Sequence, residues 1–430
     1  MKSAKSAFVT AVALPIVLGI FISLAAMAVP SVMDAQAPLS HPPKARYSVK
    51  DLGTLGGSFA EPGGVSNTEW VEGWSLLYGD AITHAFLWHD GVMRDLGTLG
   101  GPNSSTVFRP NDLGDAGGYS EIIPTADPNG EDFCGFGDNL VCRAFYWHNG
   151  RMIAQPTFGG PNSAGFGIND LGELAGTAEN KIIEPTCAGT GEVLQYKPVI
   201  WIGGHTYQLP TLPGDPVGVV FAINNQGQAV GNSGQCGAGF ASVQEHAVVW
   251  QNGKAIDIGS LGSTINNNPE DINCRGDVTG FANLAGDETF HAYLWRKGVM
   301  TDLGTLPGDI HSVGQALNCQ GQVVGRTSDA DFNGVGFVWE NGVMSDLNTL
   351  IPEDSPLFIS DANGINDLGQ IVAVGVTSTG EGHACLLTPI ANDPFDARPA
   401  ARESVPRPQI ALPERVRRMA QQPRWHVTSH

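Results

Sequence analysis

The pattern that organises this chain is a five-residue string, His84-Ala-Phe-Leu-Trp88, in which apolar side chains alternate onto both faces of an extended strand. Ala85 and Leu87 point one way and Phe86 and Trp88 the other, so the strand needs cover on both sides. Related strings end at Trp147, Trp201, Trp250, Trp295, Trp339 and Leu387, at intervals of 59, 54, 49, 45, 44 and 48 residues. No segment after the N-terminal stretch carries a sustained 3.6-residue period, so the repeat predicts short strands and no helical solenoid.

Each repeat reads as four strands. Small-residue segments such as 163–169 and 220–224 are followed by Gly-bounded runs such as 172–176 and 321–325, then the Trp-terminated string, then runs such as 92–101 and 299–309. The first two strands are joined by turns with Asn first and Gly fourth, at Asn111-Gly114, Asn169-Gly172, Asn224-Gly227, Asn273-Gly276, Asn318-Gly321 and Asn366-Gly369. The Asn side chain is expected to cap the turn and Gly to take positive φ. A second hairpin follows each Trp, at 89–91, 148–150, 251–253, 296–298 and 340–342.

Segment 47–57 has the character of a fourth strand without its predecessors, whereas 362–389 holds three strands without a fourth. Joining the two predicts an all-β fold, a seven-bladed β-propeller of four-stranded blades closed by pairing the N-terminal strand with the last blade. In that ring the Trp side chains fill the gaps between blades.

Composition and charge add the setting. Gly and Pro number 56 and 28 of 430 residues, yet 42% of the chain is hydrophobic, which fits many turns around a real core. Lys2 and Lys5 precede an apolar stretch, Phe8 to Val29, with a plausible cleavage site at Ala26-Met27-Ala28. The expected organisation is a signal peptide over 1–28, with an uncleaved anchor as the alternative, a linker over 29–46, the propeller over 47–390 and an Arg/Pro-rich disordered tail over 391–430. The tail holds seven Arg against four acids, so the body is more acidic than the net charge of −20 indicates. Such a body should repel nucleic acid and anionic lipid and attract cations or basic partners.

The strings HAFLW (84–88), DLGTLGG (51–57 and 95–101) and the repeated Ile-Asn turn with its following Gly-Gln resemble the bacterial extracellular HAF repeat. The resemblance covers 47–389 and implies export and repeat architecture, without a defined activity. The second and third copies depart from it, with Arg143 and Lys197 where His stands elsewhere.

Regular positions are read as architectural. His84, His246, His291 and His383 are expected to hydrogen-bond within their blades rather than form a metal ring. Asp51, Asp95, Asp257, Asp302 and Asp346 are expected to fix the turn after the fourth strand.

Irregular positions carry the functional expectation. The link between second and third strands runs to about 22 residues in copy two and about 20 in copy three, and in a propeller these links share a face with the crossovers between blades. Asp127 and Asp132 on a link and Asp215, Asp309 and Asp354 on crossovers mark that ligand face. The string Asp329-Ala-Asp331-Phe-Asn333-Gly334 has the alternating oxygens of a calcium loop, though without helices and without a nearby late carboxylate. Six cysteines are expected to pair as Cys134 with Cys142, Cys187 with Cys236 and Cys274 with Cys319, leaving Cys385 as a buried thiol.

No nucleophile elbow, zinc helix, phosphate loop or dinucleotide fingerprint is present. The function these features predict is an exported, monomeric binding module for a carbohydrate, peptide or protein, secreted to an extracellular or periplasmic compartment, with Ca²⁺ as its one candidate cofactor. The alternative is an extracellular lyase or hydrolase with an acidic site at the channel mouth, for which Asp309 and His311 are the acid and base neighbours.

Overall fold

A computed structural model describes residues 45–237, 243–390 and Arg407. The expected signal peptide and nearly all of the expected linker and tail lie outside the described residues. Among the described residues there is no α-helix, and no helix is long and apolar enough to cross a membrane.

The chain is all-β, built from four-stranded antiparallel sheets in which neighbours in sequence are neighbours in space. Five such sheets span 100–154, 163–208, 217–257, 262–302 and 311–346. The strands of 56–95 form a further sheet of the same order, and the last three strands are Phe358–Ile365, Ile371–Val376 and Gly382–Pro389. Tyr47–Gly53 pairs antiparallel with Gly382–Pro389, setting Tyr47 opposite Pro389, Val49 opposite Leu387 and Asp51 opposite Cys385. The strand near the N-terminus therefore supplies the fourth strand of the closing sheet. A single parallel pair, Phe59 with Gly382, joins the closing sheet to that of 56–95 as one eight-stranded sheet.

The two-faced string is covered on both faces. Phe86 and Trp88, 0% and 2% exposed, pack with Val372, Ala384 and Leu386 of the closing sheet. Ala85 and Leu87 pack with Ala116, Phe145 and Trp147 of the following sheet. The Trp rings thus fill gaps between sheets, and their indole N–H groups are bonded where they reach the crossovers: Trp201 Nε1 donates to Pro156 O at 2.9 Å and Trp250 Nε1 to Pro210 O at 2.6 Å.

Both hairpin types form as their residues predict. After each Trp the two-residue turn puts both central residues at positive φ, as in Asn149 (48°) and Gly150 (79°), the combination that a type I′ turn requires. In the Asn-first turns the Asn Oδ1 accepts from the backbone N–H two and four residues on; Asn366 does so from Leu368 and Gln370 at 3.0 and 2.9 Å.

The Asn Nδ2 has a second role that joins sheets. Asn111 donates to Asn169 O, Asn169 to Asn224 O, Asn224 to Asn273 O, Asn273 to Asn318 O and Asn318 to Asn366 O, over 2.9–3.4 Å. Asn366 donates to Ser66 O at 2.9 Å, and Asn67 N donates to Asp112 Oδ1 at 2.7 Å. Seven turns are thereby linked in a closed cycle among the described residues. Seven successive segments meet at one pocket, which is lined in chain order by Gly64, Arg109, Gly167, Ala222, Asp271, Gln315 and Asn363 among others.

Candidate functional site

The links and crossovers do share a face. Asp127 of the 127–139 link accepts from Asn162 Nδ2 of the following crossover at 2.8 Å. Asp215 of the next crossover accepts from Ser233 Oγ at 2.7 Å, and Asp309 accepts from Thr327 Oγ1. The carboxylates expected to mark this surface are largely committed to holding it together. Asp127 Oδ1 caps the turn at Asn129 and Glu131, Asp132 accepts from Gly137 N at 2.9 Å, and Asp354 stands exposed on its crossover.

One acidic group of this face receives a cation from the chain itself. Arg407 donates from Nη2 to Asp309 Oδ1 at 2.5 Å and from Nη1 to Asn333 O at 2.6 Å, with Asp329 Oδ2 3.5 Å away. Asp309, 8% exposed overall, has a side chain with no exposed surface in this arrangement. Three parts of one loop region, the crossover, the link and a backbone carbonyl, thus converge on a planar guanidinium.

The neighbouring string uses its oxygens internally. Asp329 Oδ1 accepts from the backbone N–H of Asp331 and of Asn333, and both of its oxygens lie within 3.2 Å of Asn333 Nδ2. These bonds and Arg407 hold the Asp329 carboxyl below its ordinary range. The Asn333 amide faces it with its donor side rather than as a metal-ligand oxygen.

The side chains of Asp309 and His311, two residues apart, turn to different partners. His311 is 6% exposed and stacked between Phe290 and Phe332, at centroid distances of 4.3 and 5.1 Å, and its Nδ1 accepts from Phe290 N at 3.4 Å. Burial, and then His291 and Arg326, lower its pKa. Asp309 is turned towards Thr327 and Arg407 instead. Phe332 is 41% exposed and holds φ at 60°, an unusual conformation for an aromatic residue.

The repeated His and Asp are partners. His84 Nδ1 lies 2.8 Å from Asp95, His291 2.9 Å from Asp302 and His383 2.9 Å from Asp51, while each of these Asp also accepts from the Gly two residues on. His246 pairs with the crossover residue Asp215 at 3.1 Å, and Asp257 bonds Gly259 alone among these contacts.

A further carboxylate group lies beneath the two longest links. Glu131, Glu179 and Glu192 are 0%, 0% and 5% exposed, and one oxygen of each lies within 4.8 Å of the others. Glu131 Oε1 accepts from Val193 N and Leu194 N at 2.6 and 2.9 Å, and Glu179 Oε2 from Asn162 N at 2.7 Å. Glu179 Oε1 is buried and accepts no hydrogen bond. Burial, then the charge of Glu131, pushes the Glu179 carboxyl up to about 9. In the preceding sheet Glu121 stands at the same strand position, and burial together with Asp138 raises it to about 8. Sequence reading marked the link that carries Glu131, at Asp127 and Asp132, and missed Glu179 and Glu192, which lie 48 and 61 residues beyond Glu131 and share no motif with it.

All three expected disulfides are formed: Cys134–Cys142, Cys187–Cys236 and Cys274–Cys319. They fit a protein matured in an oxidising compartment. Cys385 is buried, with Sγ 3.2 Å from Ala373 O.

No protein-family model and no curated protein matches the sequence. Among solved structures, virginiamycin B lyase from Staphylococcus aureus aligns at 11% identity over 80% of this chain and all of its own, with a TM-score of 0.44. A puromycin-hydrolysing peptidase of Mycobacterium tuberculosis aligns at 10% identity over 82% of this chain, with a TM-score of 0.46, and the chain spans about half of that protein (55%). A fucoside-bound Aleuria aurantia lectin aligns at 12% identity over 59% of this chain and 77% of its own, with a TM-score of 0.32. Likenesses at this level carry no argument about activity, and the fold stands on the strand order itself.

Proposed function

We propose that this chain is an exported seven-bladed β-propeller whose link and crossover face binds a partner through a guanidinium group, as an arginine-bearing peptide or protein segment would present it. Seven blades account for the closed cycle of turns and for the seven successive segments that line one pocket. The apolar N-terminal stretch, the three disulfides and the resemblance to the HAF repeat support export.

The observation that carries the ligand chemistry is Arg407. It joins a buried carboxylate, a backbone carbonyl and a second carboxylate, a set that a fork of N–H donors satisfies and a single ammonium does not. Arg407 belongs to the chain's own tail and acts as a tethered occupant, which competes at an effective concentration on the order of millimolar.

The test is fluorescence anisotropy on the full chain with labelled hexa-arginine, hexa-lysine and uncharged peptides. Arg407→Ala should bind the arginine peptide at least about fivefold more tightly than the parent chain, and Asp309→Asn should bind it more weakly than either. The lysine peptide should bind less tightly than the arginine peptide throughout. Equal binding of both peptides by Asp309→Asn and Arg407→Ala would sink the reading, because the face would then act only as diffuse negative charge.

A further inference from the structure

We propose that Glu131, Glu179 and Glu192 form a calcium site that braces the two longest links. The group draws on three separate stretches of chain: Glu131 from the link of the sheet spanning 100–154, Glu179 from the strand Leu174–Ile183, and Glu192 from the link that follows it. Three buried carboxylates within 4.8 Å repel one another strongly, and burial of an ionised carboxylate is tolerated only with a compensating charge or proton.

An independent sign of a ligand is Glu179 Oε1. It is enclosed, belongs to a residue with 0% exposure and accepts no hydrogen bond, although the other oxygen of the same carboxylate is held by Asn162 N. An orphaned buried acceptor of this kind is unfavourable unless something positive meets it.

The donor chemistry selects the ion. All-carboxylate donors suit a hard cation rather than zinc, and Ca²⁺ accepts an irregular set of about six to eight oxygens, whereas Mg²⁺ demands near-ideal octahedral geometry and keeps several of its waters. Three buried carboxylates from separate stretches of chain, within 4.8 Å of one another, fit calcium on those grounds. The donors are also held in place: two backbone N–H groups fix Glu131, and the disulfides Cys134–Cys142 and Cys187–Cys236 tie the flanking links. An ion there would join one sheet's link to the next sheet's strand and link, stiffening the part of the ligand face with the longest loops. This site is separate from Arg407 and stands or falls independently of the peptide-binding reading.

The experiment is calorimetric titration of the EDTA-treated full chain with calcium chloride, paired with terbium chloride luminescence excited through tyrosine. Tyr196 is fully buried and interacts electrostatically with Glu192 and Glu179, so it is placed to sensitise the emission. The expected result is one saturable equivalent of Ca²⁺, weakened about tenfold or more by Glu179→Gln and by Glu192→Gln. Asp329→Ala should leave it unchanged. Should either Gln variant fail to fold by circular dichroism, Tyr196→Phe decides the location: it should keep the calcium equivalent and lose most of the terbium emission. Absence of a saturable equivalent in the parent chain, or binding that persists undiminished in folded Glu179→Gln and Glu192→Gln, overturns the proposal, as does terbium emission unaltered by Tyr196→Phe.

Discussion

Asn366 Nδ2 donates to Ser66 O at 2.9 Å, and this bond between residues 300 positions apart closes the cycle of turns. The same side chain accepts from Leu368 and Gln370 and donates to Gln370 Oε1 at 2.8 Å, all with 0% exposure. A turn-capping residue is therefore also the join between the first and last sheets.

Asn366→Ala should cost about 1–3 kcal/mol, because it leaves buried backbone groups of two sheets unpaired. The midpoint of denaturant unfolding should fall, with a comparable loss for Asn224→Ala, which occupies the equivalent turn within the cycle. A ring that gains nothing from closure would show Asn366→Ala as neutral.

His84 and Trp88 recur with equal regularity, yet they should differ greatly in energy. The His84–Asp95 pair is accessible to water, with the Asp95 side chain 41% exposed, so His84→Ala is expected to cost less than about 1 kcal/mol. Trp88 is 2% exposed between two sheets, and Trp88→Ala should cost about 3–5 kcal/mol. Chemical denaturation of the two variants side by side checks the contrast.

Glu121 sets a pH dependence. Burial, and then Asp138, raise its pKa from 4.5 to about 8, so the folded chain holds a proton that the unfolded chain releases above 4.5. Its contribution is present at low pH and is lost as pH rises through the window from about 4.5 to 8. The slope there is at most about 1.4 kcal/mol per pH unit. Unfolding free energy measured at several pH values should show this loss in the parent chain and a flatter profile in Glu121→Gln.

Cys385 should behave as part of the core. It is fully buried and burial pushes its thiol far up, so the thiolate needed for reaction is scarce in the native chain. Iodoacetamide should leave Cys385 unmodified in the folded protein and label it after denaturation, as peptide mass mapping would read. Rapid native labelling would contradict the closed packing of Tyr47–Gly53 against Gly382–Pro389.

The sequence by itself determined what repeats. Strand order, both hairpin types, the double-sided burial of Phe86 and Leu87, and the pairing of Tyr47–Gly53 with the last strands all follow from periodicity and turn chemistry, which act over a few residues. The three disulfides were legible because each pair stands in one loop or in corresponding loops. The first turn was not legible, since Ser66 and Glu69 stand where Asn and Gly stand elsewhere, and Glu69 holds φ at 67° without the glycine that marks the others.

Only the tertiary structure decided which repeated residues meet and where charge gathers. Asp95 and His84 belong to different strings of the repeat, yet they are one contact, because adjacent antiparallel strands bring positions 11 apart together. His311 does not bond its sequence neighbour Asp309, because its ring stacks between Phe290 and Phe332 while the buried Asp309 carboxylate turns to Thr327 and Arg407. Glu131, Glu179 and Glu192 meet because two sheets lie side by side, and irregular links carry no period from which that meeting can be read.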